Sequence, residues 1–169
     1  MSGGETSQAF THFDKSGHAV MVDVTDKAVT HRRAEAHCWV RGVDAGGAVL
    51  GEEAYAEAVS MARVAGMFGA KRTSSLIPLC HPLPLSGFEI AFVRERDAIE
   101  IIAVVETESQ TGVEMEALGA CGVAALSIVA WLSSRISRLW IDDLELLEKS
   151  GGRSGQWVRD SLEATTSNR

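Results

Sequence analysis

Residues 88–106 read FEIAFVRERDAIEIIAVVE, and this stretch decides the fold. Apolar and polar residues alternate through Phe88–Glu95 and again through Ile99–Glu106, with Arg96 and Asp97 between them. Alternation with a period of two half-buries each strand, and so short a connection predicts an antiparallel hairpin. Upstream, residues 77–87 (IPLCHPLPLSG) hold all three prolines, which forbid a regular helix and set a stiff, extended loop. Before that loop, Glu52 and Glu53 stand where a helix N-terminus favours carboxylates, and Lys71 and Arg72 where its C-terminus favours cations. Between them Ala56, Val59, Ala62, Arg63, Ala65, Gly66 and Met67 fit a closely packed helix. The stretch 42–51 (GVDAGGAVLG) is a glycine-rich loop. From His31 to Arg41 the chain alternates again, with Arg33, His37 and Trp39 opposite Ala34, Ala36, Cys38 and Val40. That predicts another half-buried strand, and 18–24 (HAVMVDV) reads as a short one before it. Downstream, Thr111-Gly112 opens an apolar helix over about 113–135, Leu139–Leu147 reads as a last strand, and SGGRSG at 150–155 as a turn. Strand runs separated by only two long helices give a mainly antiparallel sheet with helices covering one face, an α+β architecture.

The 169 residues fit one domain over 11–157, with polar tails at 1–10 and 158–169 that read as disordered. A net charge of −7 excludes a nucleic-acid binder built on a broad basic face. It leaves room for a local basic pocket drawn from Lys15, Lys27, Lys71 and Lys149. Cys38, Cys80 and Cys121 are odd in number and widely spaced, so neither a disulfide framework nor a metal-type C-x-x-C is read. A reducing cytoplasm follows. The N-terminus (MSGGETSQAF) lacks an apolar export region. The run Ala117–Leu132 contains Gly, Ser and Cys and reads as a buried helix, not a membrane span.

Several groups carry chemistry and also admit structural readings. Lys71-Arg72-Thr73 suits phosphate oxygens, or simply complements a helix end. Cys80-His81 lies in the proline-stiffened loop, where an imidazole exchanges protons near neutral pH or serves as a structural histidine. Glu114-Met115-Glu116 opens the apolar helix, where carboxylates favour the dipole or accept from ring N–H groups across a cavity. Ala120, Val123, Ser127 and Ala130 continue the Glu116 face, for close approach of a partner or for core packing. Lys149, Gly151, Gly152, Arg153 and Gly155 form a basic turn that cradles a phosphate or is merely a loop.

Taken in order, VDVTDKAVTHRRA at 22–34, MARVAGMFGAKRT at 61–73, LIPLCHPLPLSG at 76–87, TGVEMEAL at 111–118 and LLEKSGGRSG at 146–155 resemble the MoaC family. These are the cyclic pyranopterin monophosphate synthases, lyases of molybdenum cofactor biosynthesis. The resemblance implies a ferredoxin-like antiparallel sheet with helices on one face, assembled as a hexamer of dimers with sites at the dimer interface. It implies conversion of 3′,8-cyclo-7,8-dihydroguanosine 5′-triphosphate to cyclic pyranopterin monophosphate with loss of pyrophosphate, without metal or cofactor. His81 takes the place of the family's catalytic histidine. Cys80, Glu114, Met115 and Glu116 match substrate-contacting residues, and Lys71 and Lys149 match basic residues of the pocket. Where the family has a catalytic lysine, eight residues before the arginine matched by Arg63, this chain has Tyr55. Where the family has an aspartate and, three residues on, a lysine, this chain has Ala130 and Ser133, with Trp131 beside them. Three of four catalytic groups are thus replaced. The expectation is a binder of a phosphorylated purine or pterin with impaired chemistry. Two alternatives stay open: an active or altered enzyme using His81 and Tyr55, and a non-catalytic partner of an intact paralogue.

Overall fold

The computed structural model describes residues 16–44, 50–153 and 155–160. The N-terminal tail over 1–10, the centre of the glycine-rich loop and all of the C-terminal tail over 158–169 except 158–160 lie outside the described residues. Strand β1 spans Thr30–Arg41, helix α1 Glu52–Lys71 and the short α2 Thr73–Leu76. The hairpin strands are β2 (Leu85–Arg94) and β3 (Ala98–Ser109), followed by α3 (Glu114–Leu132), β4 (Trp140–Ser150) and β5 (Trp157–Val158). The sheet order is β2-β3-β1-β4-β5, with every neighbouring pair antiparallel. β1 and β2 therefore run parallel, with β3 slotted between them. That is the split β-α-β arrangement of a ferredoxin-like α+β fold.

One face of the sheet is apolar and covered. Ala34, Ala36, Cys38 and Val40 of β1 and Ile99, Ile101, Ala103 and Val105 of β3 are all fully buried there. α3 lies across them with Ala117, Ala120, Cys121, Ala124, Ala125, Ile128 and Leu132, also fully buried. Small residues on both sides let the helix sit close. The Cys121 thiol reaches the Ala36 carbonyl at 3.3 Å, and the Cys38 thiol reaches the Cys121 carbonyl at 3.5 Å. Each large apolar chain in this layer, such as Ile101 or Ile128, is worth about 1.5–3 kcal/mol of burial. α3 is long and apolar enough to cross a membrane by length and composition alone, yet it is the core helix between the sheet and α1.

α1 packs antiparallel to α3 through glycine. A β-carbon built at Gly69 falls 2.7 Å from the Gly119 carbonyl oxygen and 2.9 Å from Val123, so no larger residue fits this crossing. Gly66 makes the same approach to Ala120 and Ala124. The small-residue face at Ala120 and Val123 thus meets α1 of its own chain. α1 ends where the Thr73 hydroxyl shares its proton between the Gly69 and Ala70 carbonyls at 3.0 and 3.1 Å, adding to the backbone N–H groups that cap the last turn.

The segment 18–24 corrects the reading of a strand. It is extended, with a single bridge at Ala19, and is not part of the sheet. Its alternation has another cause: Val22 and Val24 turn into a cavity instead of onto a neighbouring strand. α3 stops at Leu132, three residues before the expected end, because Ser133–Arg135 tighten into a turn with the Ser133 hydroxyl donating to the Ala130 carbonyl at 3.1 Å. α2 and β5 are too short for periodicity to reveal.

Candidate functional site

The N-terminal end of α3 opens onto a cavity of about 740 Å³, within the range of small-ligand sites. Four pieces of chain wall it: the extended segment around Val22–Lys27, the proline loop at 77–83, the start of α3 and the end of β4. The loop is held to the sheet by the Thr107 hydroxyl, which donates to the Pro84 carbonyl at 2.6 Å. Within it Leu79 adopts φ 71, a left-handed conformation that a branched side chain takes only under constraint. That turn presents Cys80 and His81 to the cavity. The outer wall is tied down where the Gln110 amide donates to the Thr25 carbonyl at 3.1 Å.

Six of the residues singled out by sequence meet here: Cys80, His81, Glu114, Met115, Glu116 and Lys149. Lys149 Nζ lies 3.0 Å from Glu114 Oε1, a half-exposed ion pair between β4 and α3. Glu116 is only 4% exposed, and burial, reinforced by the Glu114 charge, pushes its carboxyl up to about 7. Near neutral pH it therefore exists in both protonation states. Burial, then the Glu116 charge, raises the Cys80 thiol, so it is a neutral contact group and not a thiolate nucleophile. On the rim, the Asp23 carboxylate accepts from the Thr25 hydroxyl at 2.6 Å and its backbone N–H at 2.9 Å, which holds it below the usual carboxylate range. A smaller contribution to that lowering comes from His81. Lys27, one of the four lysines the sequence offers for a local basic pocket, does line the cavity, whereas Val22 and Val24 were read as strand residues and not as cavity walls.

The other four residues are elsewhere. Lys71 is exposed and borders a separate hollow of about 190 Å³ beside Leu85 and Phe88. Ala130 and Ser133 are exposed at the C-terminal end of α3, and Ala130 is about 21 Å of helix rise beyond Glu116. Tyr55 lies at the same end, on the first turn of α1. Its hydroxyl is 3.5 Å from the Phe92 carbonyl, and its ring lies 5.1 Å from the Arg94 guanidinium. Burial pushes its phenol above the ordinary value, so its proton is held more firmly than usual. Trp131, 42% exposed, faces α1 across a concavity lined by Ala56, Glu57, Ser60 and Met61. It is nowhere near the His81 cavity.

A single chain thus offers a cavity with an imidazole, a thiol, a part-neutral carboxyl and an ammonium–carboxylate pair. Such a set can accept from ring N–H groups, hold a small polar heterocycle and exchange a proton. Among the described residues no group of three or more histidine, cysteine or acidic side chains is arranged to hold a metal ion.

A family model described as "MoaC family" matches residues 21–152. The chain is 48% identical to a cyclic pyranopterin monophosphate synthase of Thermomicrobium roseum, over 91% of this chain and 95% of that protein. It is 44% identical to the protein of that name from Streptomyces coelicolor, over 94% of each chain. For the one from Chloroflexus aurantiacus the identity is 45%, over 92% of this chain and 98% of the relative.

Proposed function

The chain belongs to the MoaC family, and we propose that it acts in molybdenum cofactor biosynthesis in the cytoplasm as a binder of a phosphorylated purine or pterin whose own catalysis is impaired. The observation that carries this reading is the separation along α3. The cavity at its N-terminal end keeps His81, Glu114, Glu116 and Lys149 together. The far end has Tyr55, Ala130 and Ser133 where the family places its lysines and aspartate.

In the family reaction a cyclo-dihydroguanosine triphosphate is rearranged and pyrophosphate leaves. Glu114 and Glu116 suit the N–H donors of a guanine or pterin edge, and His81 suits proton exchange with the ring. The departing pyrophosphate needs cations that stabilise its charge as it forms. A phenol, a methyl group and a hydroxyl supply none. A positioned acid or base contributes about 10²–10⁴ in rate, so losing three members of one unit leaves little turnover.

Because both ends of α3 cannot meet within one chain, a complete site requires a second protomer. The outer helix surface favours one: Met61, Val64, Phe68 and Leu126 are each more than half exposed, a concentration of apolar surface that a free monomer seldom keeps. A homo-oligomer of the hexamer-of-dimers type brings the Tyr55 end of one chain to the His81 cavity of the next.

Calorimetric titration with GTP tests the binding half. The wild type binds with 1:1 stoichiometry per chain, and Glu116→Ala weakens binding by at least tenfold. Absence of any heat or mass change with GTP and with the cyclo-dihydro substrate contradicts the reading.

A further inference from the structure

Gly112 stands two residues before the start of α3, on the wall of the main cavity. Its φ is not positive, so its backbone conformation is open to any residue. What it provides is space. A β-carbon built there would fall 2.0 Å from Glu114 Oε2, 2.7 Å from its Cδ and 2.9 Å from Oε1. All three nearest atoms belong to one carboxylate, which folds back from the first turn of α3 into the room a side chain at 112 would fill. The contrast with the α1–α3 crossing is direct. At Gly69 the nearest atom is backbone, whereas at Gly112 it is the far end of a movable side chain.

The carboxylate is held from the other side as well. Lys149 Nζ, arriving on β4, lies 3.0 Å from Glu114 Oε1. Gly112, Glu114 and Lys149 all line the main cavity and also a narrow polar cleft of about 30 Å³ beside it. A glutamate at the head of a helix ordinarily samples many rotamers, and fixing it costs side-chain entropy. Here the ion pair and the hollow over Gly112 fix it before a ligand arrives, which lowers the cost of binding. With Oε1 engaged by the ammonium, Oε2 remains to accept from a ring N–H or an exocyclic amine. A methyl group at 112 would take the place of that oxygen.

We infer that Gly112 is a positioning residue. The absence of a side chain there lets the Glu114 carboxylate lie against the backbone within reach of Lys149, and this placement sets the cavity's preference for a purine with a 2-amino group over one without it. Glu114 does the recognising, and Gly112 acts through it. The inference rests on the proposed binding of a phosphorylated purine or pterin and adds what holds the recognising carboxylate in place. Displacing that carboxylate forfeits one charge-assisted hydrogen bond, about ten- to a hundredfold in affinity. The chain still folds, because the end of a glutamate moves at little cost.

The test is calorimetry on the full chain with GTP and with inosine triphosphate, which lacks only the 2-amino group, so that contacts to the phosphates cancel in the ratio. Wild type, Gly112→Ala, Glu114→Ala and the double variant are compared. Wild type binds GTP at least about tenfold tighter than inosine triphosphate. Gly112→Ala lowers GTP affinity by about ten- to a hundredfold and leaves inosine triphosphate within about threefold, so the preference collapses. Glu114→Ala does the same, and adding Gly112→Ala to it changes nothing further, because the methyl group then meets no carboxylate. Equal weakening of both nucleotides by Gly112→Ala, losses that add in the double variant, or GTP binding untouched overturns the positioning role. So does a Gly112→Ala chain that fails to fold, since the methyl group then meets more than a movable carboxylate. Equal binding of the two nucleotides by wild type overturns the amine preference and leaves the proposed function standing. Binding of neither overturns both.

Discussion

The two ends of α3 differ in chemistry. At its N-terminal end, Glu114 and Glu116 face a cavity that also holds His81, Cys80 and Lys149. At its C-terminal end, Ala130 and Ser133 face outward, and the nearby Tyr55 is engaged with Phe92 and Arg94 of its own chain. The first end gathers titratable groups around one cavity; the second turns its side chains to solvent or to its own chain. On the proposed function, the difference makes ligand recognition separable from pyrophosphate departure, because the groups proposed for each lie some 20 Å apart along one helix.

The comparison is broken most forcefully by rebuilding the poor end. The triple variant Tyr55→Lys, Ala130→Asp, Ser133→Lys is expected to raise formation of cyclic pyranopterin monophosphate by about 10²–10⁴-fold over wild type, measured by product fluorescence after oxidation. Next in size is the crossing that holds the two ends in line. Gly69→Val forces α1 away from Gly119 and Val123 and is expected to cost about 2–4 kcal/mol in denaturant unfolding, because backbone is on the other side of the contact.

The rich end is probed through Glu116. Its folded carboxyl is raised from an ordinary 4.5 to about 7. Its stabilising contribution is therefore full below 4.5 and is lost as the pH rises through about 7. Glu116→Gln mimics the neutral acid. The variant is expected to match wild type at pH 4 and to exceed it by roughly 1–3 kcal/mol at pH 8, seen in urea midpoints across that range. The smallest effect belongs to Tyr55→Phe. A hydroxyl 3.5 Å from a carbonyl contributes little, so stability shifts by less than about 1 kcal/mol and product formation stays where it was.

Much of this was legible before any coordinates. The alternation of β1, the hairpin of β2 and β3, and the charge-biased ends of α1 all follow from local period and dipole. Residues that line the cavity were legible where they cluster in sequence, as in Cys80-His81 and Glu114-Met115-Glu116. What sequence does not state is which end of a helix a residue occupies relative to a distant loop. Lys71, which neighbours the proline loop in the chain and matches a basic pocket residue of the family, borders a separate hollow beside Leu85 and Phe88 within one chain.

The most direct measurement is a single-turnover reaction, with the purified chain in excess over the cyclo-dihydroguanosine triphosphate. Released pyrophosphate and protein-bound substrate are followed together. If recognition persists where expulsion has been lost, the substrate stays on the protein intact and pyrophosphate is absent on the timescale of an intact relative run alongside. Stoichiometric pyrophosphate at the relative's rate contradicts it.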